Sequence, residues 1–190
     1  MSDPVHRRLA ASVASLDTRT RLAILGGVTA VLIWLVSTTI FPYHSVNHDE
    51  GVYLQQAAML LDGKLYLTPP VEDAFRPWFF VDSSAGLYSK YNPPTAALFA
   101  VGKLLGSSRI ALVLIAAGAV VLLQRVVAMV FDERTGFVAA IALLASPLFL
   151  VDAAVFLPYV PTMFLNLAFA AAYLRADLTG DRRLAAVAGF

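Results

Sequence analysis

Two adjacent carboxylates, Asp49 and Glu50, open the segment HDEGVYLQQAAMLLDG, shortly after an apolar run. Asn47 is a suitable N-cap for a helix that starts here, and Glu50, three residues later, completes a variant of the capping box. Gly63 is a suitable C-cap. The segment is therefore predicted to form a short helix with both acids in its first turn.

At helical spacing, Asp49 shares one stripe of this helix with Tyr53 and Gln56. A carboxylate, a phenol and an amide are thus predicted to share one face of the helix. The alternative is that acids in a first turn only stabilise the helix dipole. Glu50 fits that alternative better than Asp49 does.

A second candidate group is the lysine in GLYSKYNPP, where Lys90 stands between Tyr88 and Tyr91. A cation at this position suits a phosphate, although a lysine among interfacial aromatics also reaches towards lipid headgroups. Tyr91 is a further candidate substrate contact. Arg76, in the proline-rich loop before this motif, is another, and surface packing explains it equally well.

A metal site is a third candidate. Glu50, His48 and Asp152 are potential ligands for a divalent ion, since carboxylate and imidazole groups bind such ions. The alternative is that the histidines near these acids form local hydrogen bonds. Both interpretations stay open at this point.

The composition indicates an integral membrane protein, because 59% of the residues are hydrophobic and only 14% are charged. The formal net charge of +1 argues against a nucleic-acid partner. The chain has no cysteine, which excludes disulfides and thiol chemistry.

The predicted fold is an all-α polytopic membrane protein. A span needs about 20 apolar residues, and the predicted spans are 22–41, 109–131, 135–152 and 159–175, with a truncated span from 184. Because a truncated span cannot cross a bilayer, the chain is expected to be the N-terminal part of a longer protein. The apolar stretch in NPPTAALFAVGKLLG is too short to span, so it is predicted to lie along the interface.

This assignment makes residues 42–108 one long loop on a single side of the membrane. The basic leader 1–21 and the later arginine clusters fall on the other side, which the positive-inside rule makes cytoplasmic. The loop that carries Asp49 and Lys90 is therefore predicted to face outward.

The order HDEGVYLQQAAMLLDGKLY, LYSKYNPPTAALFAVGKLLG, DERTGFVAAIALLASPLFL resembles the N-terminal half of the GT-C membrane glycosyltransferases. It is most similar to bacterial and archaeal relatives of the dolichyl-phosphate-mannose protein mannosyltransferases and of the lipid A aminoarabinose transferases. The likeness covers nearly the whole chain after Leu22. Two positions depart from the family pattern, Tyr159 where many relatives carry Asp or His, and Ser89 where some carry an acid.

The resemblance implies a GT-C-like helical bundle with interfacial helices in its first outer loop. It also implies transfer of a sugar from a polyprenyl-phosphate-linked donor to an acceptor outside the membrane, which is a protein, a lipid or a polysaccharide. Asp49 matches the family's catalytic carboxylate, and Lys90 matches its phosphate-contacting residue. Metal dependence stays open because of the departures at Tyr159 and Ser89.

Two other function classes compete with a transferase, a transporter or flippase of lipid-linked saccharides and a non-catalytic membrane subunit. A transporter is expected to carry charged residues or broken helices near the middle of the bilayer. The four complete predicted spans hold almost no ionisable residue away from their ends. This pattern favours chemistry outside the membrane.

Overall fold

The computed structural model describes residues 16–68 and 79–189, and these residues are mostly helical. The helices are α1 (Thr18–Thr39), α2 (His48–Leu61), α3 (Pro93–Leu104), α4 (Ser108–Val130), α5 (Glu133–Leu144), α6 (Pro147–Ala153), α7 (Tyr159–Thr179) and α8 (Arg182–Ala188). Between α2 and α3 lies an antiparallel hairpin of β1 (Phe80–Ser83) and β2 (Gly86–Ser89). The coarse all-α prediction is confirmed, and this short hairpin in the outer loop is a feature that it did not include.

Two helices, α1 and α4, are long and apolar enough to cross a membrane, and their bounds agree with the predicted spans 22–41 and 109–131 to within a few residues. A third candidate is the pair α5 and α6, if the two form one bent span. The composition and these helices together indicate a membrane protein with two or three candidate spans, where the sequence predicted four.

The predicted span 135–152 is broken, because α5 and α6 meet at an angle of 70°. The break falls at Ser146 and Pro147. Pro147 has no N–H to continue α5, and the Ser146 hydroxyl accepts a hydrogen bond from the Phe149 N–H at 3.4 Å, which starts α6 as a new helix.

The predicted span 159–175 coincides with α7, which continues to Thr179 but falls short of the apolarity of a candidate span. Asn166, Arg175 and Asp177 lower its mean hydropathy. The helix ends at Gly180 in the left-handed conformation, with φ of 68°. Beyond it, α8 covers part of the truncated span predicted from 184.

Helix α4 is the centre of the core and packs against α1, α3, α5 and α7. Ala116 and Val120 on α4 are fully buried, as are Ile33 on α1 and Phe99 on α3. Gly102 lets α3 approach α4 closely, because a Cβ atom there would lie 2.6 Å from the Ala111 backbone nitrogen. Helix α3, although it belongs to the outer loop, is thus part of the main core.

The end of α1 and the start of α4 lie at the same end of the bundle, here called the site end. They are joined by Arg109, whose guanidinium donates to the carbonyls of Phe41 at 3.0 Å and Tyr43 at 3.3 Å, and also to those of Ser37 and Pro42. The Ser37 carbonyl lies in the last turn of α1 and the other three follow it, where a cation is favourable. Sequence analysis missed this role of Arg109.

The opposite end of the bundle holds the end of α4 and the start of α5. There the Gln124 side chain donates to Glu133 at 2.7 Å, and the Arg21 guanidinium lies 5.0 Å from the centre of the Phe137 ring. Helices α5 and α6 then return the chain to the site end. The outer-loop elements and the turn between α6 and α7 therefore share one end.

The hairpin packs on α2 through a small second core. Val52 and Met59 of α2 are buried against Phe80 and Leu87 of the two strands. The hairpin thereby places the segment after β2, which begins with Lys90, beside the start of α2.

Candidate functional site

Asp49 lies in the first turn of α2, where the Asn47 side chain caps the helix by accepting from the Asp49 N–H at 3.0 Å. This half of the predicted capping box is confirmed. The Asp49 side chain lies close enough to Tyr91, just before α3, for its carboxylate to contribute to the raised pKa of that phenol. A carboxylate of α2 and a phenol 42 residues later are thus brought near each other.

Two phenols, Tyr53 and Tyr91, lie near Asp49, and a third, Tyr159, lies near these two. Burial raises the pKa of Tyr91 to about 12, and its hydrogen bond to Asp49 and the negative charge of Asp49 contribute further. Burial also raises the pKa of Tyr53, with a smaller contribution from the charge of Asp49. Tyr159, the first residue of α7, is close enough to act on both phenols. Asp49, Tyr53, Tyr91 and Tyr159 are called the Asp49 cluster below.

Aromatic packing holds two members of the Asp49 cluster in place. The rings of Tyr53 and Tyr91 stack with centroids 4.9 Å apart, and Phe99 meets Tyr53 edge-on at 6.4 Å. Gln56, one turn further along α2, donates to the Tyr91 carbonyl at 3.0 Å. The predicted stripe of Asp49, Tyr53 and Gln56 therefore faces α3 rather than open solvent.

Lys90 is exposed and lies beside the Asp49 cluster. Its backbone N–H donates to the Phe79 carbonyl at 3.1 Å, and its ammonium lies 4.2 Å from the centre of the Phe79 ring and 5.6 Å from that of Tyr91. Both distances are in the range of cation–π contacts. The hairpin and the aromatic rings therefore hold this cation next to the Tyr91 phenol, which lies near Asp49.

A cavity of about 360 Å³ opens next to this group. It is lined in part by Gln56, Tyr66, Tyr88, Lys90, Tyr91 and Asn92. The Gln56 Oε1 atom is buried and has no hydrogen-bond partner among the described residues. A space with phenol, amide and ammonium groups suits a polar ligand that carries an anionic group.

Glu50 is completely buried, and protein donors occupy both of its carboxylate oxygens. Oε1 accepts from the Ser45 N–H at 2.7 Å and from the Ser45 hydroxyl, and Oε2 accepts from the Phe156 N–H at 2.8 Å. The predicted reciprocal cap of Glu50 to the Asn47 N–H is wrong. A substrate or metal at Glu50 would have to replace these bonds.

No group of three His, Asp or Glu side chains that could hold a metal ion occurs within residues 16–68 and 79–189. Of the other proposed ligands, His48 precedes Asp49 in the first turn of α2. Asp152 lines a separate cavity of about 200 Å³ together with Ser146 and Tyr159. Tyr159 is therefore shared between the Asp49 cluster and the Asp152 cavity. The divalent metal stays a prediction.

The structure brings together Asp49, Tyr53, Gln56, Lys90 and Tyr91 of the predicted site residues, whereas Arg76 lies outside the described residues. Sequence analysis did not place Tyr159 in the site. The available signal was its position at the start of a helix after the turn FLP, in the outer turn predicted between two spans.

Comparison of the chain with models of protein families, with curated proteins and with solved structures finds no match. The arguments below therefore rest on the geometry of the chain itself and on the motif resemblance described above.

Proposed function

We propose that the protein is an integral-membrane glycosyltransferase that moves a sugar from a polyprenyl-phosphate-linked donor to an acceptor on the outer face of the membrane. The observation that carries this proposal is the arrangement around Tyr91. The Asp49 carboxylate is near enough to contribute to the raised pKa of the Tyr91 phenol, and the Lys90 ammonium lies 5.6 Å from the centre of its ring, next to the cavity. A base and a cation for a leaving phosphate thus flank one phenol.

In the proposed reaction the acceptor's hydroxyl oxygen attacks the anomeric carbon of the donor sugar. The bond from that carbon to the phosphate oxygen breaks, and the phosphate leaves with the bonding electrons as polyprenyl phosphate. Asp49 takes the proton of the attacking hydroxyl, which is general base catalysis. Asp49 is the carboxylate that contributes to the raised pKa of both Tyr53 and Tyr91.

Lys90 is assigned to the leaving phosphate, whose negative charge grows as the bond to the sugar breaks. Its ammonium is exposed at the cavity and rests on aromatic rings, so it can bind an anion without first leaving a buried ion pair with another described residue. Tyr66 and Tyr88, whose rings meet edge-on at 6.4 Å across the same cavity, are suited to contact the sugar.

The finer architecture is part of the proposal. The chain would form the N-terminal part of a GT-C-like bundle, with residues 1–21 cytoplasmic and the site end outside. Support comes from the motif order, from the basic residues Arg21 and Arg125 at the opposite end, and from the placement of all described site residues at one end. A donor with a long lipid tail would reach such a site from the membrane.

A lipid-linked saccharide flippase is the second candidate, and the break between α5 and α6 favours it. Transporters often bind their substrates where helices are discontinuous, and the 70° bend at Ser146 and Pro147 was not predicted from the sequence. A flippase would move the intact donor across the membrane and would not need the Asp49 carboxylate as a base.

The deciding experiment uses the full-length protein in membrane vesicles with a radiolabelled polyprenyl-phosphate sugar and an extract of outer-face acceptors. Transfer of label to acceptor, abolished by Asp49→Asn and kept by Asp62→Asn, supports the transferase. Asp62 is a matched control because it follows the other end of the same helix and is exposed. Movement of intact donor across the bilayer without transfer would support the flippase instead.

A further inference from the structure

Glu50 joins two segments that are far apart in the chain. Its Oε1 binds Ser45, just before α2, and its Oε2 binds the Phe156 N–H, 106 residues away in the turn between α6 and α7. Glu50 has no exposed surface. Its carboxylate therefore cannot touch a ligand in this arrangement, and its role has to be sought in what it holds together.

The turn that Glu50 holds is itself buried and packed. Ala154, Val155, Phe156 and Leu157 are all buried, and the Phe156 ring meets Phe99 of α3 edge-on at 5.5 Å. Tyr159 begins α7 three residues after Phe156, and its hydroxyl belongs to the Asp49 cluster. The hydrogen bond therefore links Glu50, which is next to Asp49 in α2, to the turn that leads into Tyr159.

We propose that Glu50 is a positioning residue that fixes α2 against the turn between α6 and α7 and so sets the position of Tyr159, the first residue of α7, relative to α2. It acts through geometry and does not contact the substrate. The expected effect of replacing Glu50 on sugar transfer rests on the proposed function, whereas the expected effect on the distance between α2 and α7 does not.

The bonding pattern requires a carboxylate. Three donors face Glu50, two N–H groups and one hydroxyl, and an ionised carboxylate only accepts hydrogen bonds. The Ser45 hydroxyl oxygen accepts from the Asn47 N–H at 3.2 Å through a lone pair, and this leaves the hydroxyl hydrogen available for donation to Glu50. In Glu50→Gln the new NH₂ group would face an N–H donor, so one buried bond is lost although the side chain keeps its size.

The test measures the distance between α2 and α7 in the inserted full-length protein. Cysteines are introduced as Gly51→Cys and Asn166→Cys, both at exposed helix positions of a chain without native cysteine, and carry spin labels for electron paramagnetic resonance. We expect Glu50→Gln to broaden and shift the distance distribution. Glu133→Gln is the matched control, since that carboxylate accepts from Gln124 at the opposite end of the bundle.

The control separates positioning from general loss of stability, because Glu133→Gln also removes a carboxylate acceptor but leaves the site end intact. Ser45→Ala serves as a milder second variant that removes one donor to Glu50 and should broaden the distribution less. Equal, narrow distributions in Glu50→Gln, Ser45→Ala and Glu133→Gln would overturn the proposal, whether or not the protein transfers sugar.

Transfer provides the second readout where the wild-type protein is active. A small misplacement of a reacting group costs on the order of a hundred-fold in rate, so Glu50→Gln should lower the turnover rate by roughly that factor and change the donor KM little. In a Tyr159→Phe background the loss should be smaller, since the phenol that Glu50 positions is already absent. Normal transfer with a broadened distribution would confirm that Glu50 positions α7 but would overturn its consequence for the reaction.

Discussion

The Tyr91 ring stacks on Tyr53, one turn further along the helix that carries Asp49, with ring centroids 4.9 Å apart. This places the Tyr91 phenol close enough to the Asp49 carboxylate for Asp49 to contribute to its raised pKa. The carboxylate thus lies between α2 and the start of α3. A base that is already oriented loses less conformational freedom when it accepts a proton from a substrate. This contact links the acid motif and the lysine motif, which are about 40 residues apart in the sequence.

The first prediction concerns alkaline stability. The pKa of Tyr91 is raised from 10.0 to about 12 in the folded protein, so folding favours the protonated phenol. This contribution is fully present below pH 10 and is lost as the pH rises towards 12. We expect the thermal midpoint, followed by circular dichroism in detergent, to fall over this window. Tyr91→Phe should reduce the fall, while Tyr43→Phe, at an exposed tyrosine, should not.

The helices that sequence analysis predicted well are those with local signals. Helices α1 and α4 follow from uninterrupted apolar runs, α2 from its Asn47 cap, and α3 from Pro93 and Pro94, which are favourable in a first helical turn. Each of these signals acts over a few residues. The two longest elements and the two helices of the outer loop could therefore be found without tertiary information.

The features that were missed depend on tertiary contacts. The strands FVDS and GLYS are short and carry no alternating apolar pattern that would distinguish them from loop, and they pair because α2 offers Val52 and Met59 to cover them. The bond from Glu50 to Phe156 has no local signal either. A capping box was the reasonable local expectation for Glu50, and a distant backbone N–H replaced it.

The same contacts change the expectation for Glu50→Gln. With the reciprocal cap assumed from the sequence, this substitution would be mild. Because Glu50 is buried and accepts three hydrogen bonds, the substitution should instead disturb the packing of α2 on the turn between α6 and α7. Asp49 and Glu50 thus differ in the kind of effect they produce, one on chemistry and the other on position.

The second prediction concerns Lys90. Lys90→Ala should raise the KM for the lipid-phosphate donor at least several-fold, whereas Lys90→Arg should have a smaller effect because it keeps the charge. Acceptor affinity should change little. Steady-state kinetics with varied donor provide the measurement, and Lys103→Ala, at the far end of α3, is the matched control. Unchanged donor kinetics in Lys90→Ala would indicate that the ammonium only contacts lipid headgroups.

The third prediction concerns orientation in the membrane. Positions 66 and 90 should be external, and positions 134 and 177 cytoplasmic, because this places the arginine clusters inside. Single cysteines introduced as Tyr66→Cys, Lys90→Cys, Arg134→Cys and Asp177→Cys can be labelled in intact cells with an impermeant thiol reagent. Labelling of position 134 together with protection of position 90 would reverse the proposed orientation.

The fourth prediction is the most direct test of the site. Asp49→Asn keeps the size of the side chain and an oxygen that can accept from the Tyr91 hydroxyl, but it removes the basicity of the carboxylate. The protein should insert and fold normally, while its transfer rate falls by about a hundred-fold to ten-thousand-fold, as expected when a general base is lost. Turnover measured with saturating donor and acceptor checks this.

The contrary hypothesis is that Asp49 only stabilises the dipole of α2, and it makes a different forecast. Removing such a charge costs about 0.3–1 kcal/mol of stability and no chemistry. Asp49→Asn would then slightly lower the thermal midpoint and leave turnover unchanged. Asp62→Asn, at the C-terminal end of the same helix, should slightly raise the midpoint, because an anion there is unfavourable, and should also leave turnover unchanged. Turnover close to that of the wild type in both variants would exclude Asp49 as the base, because the proposed reaction gives only Asp49 a proton to accept.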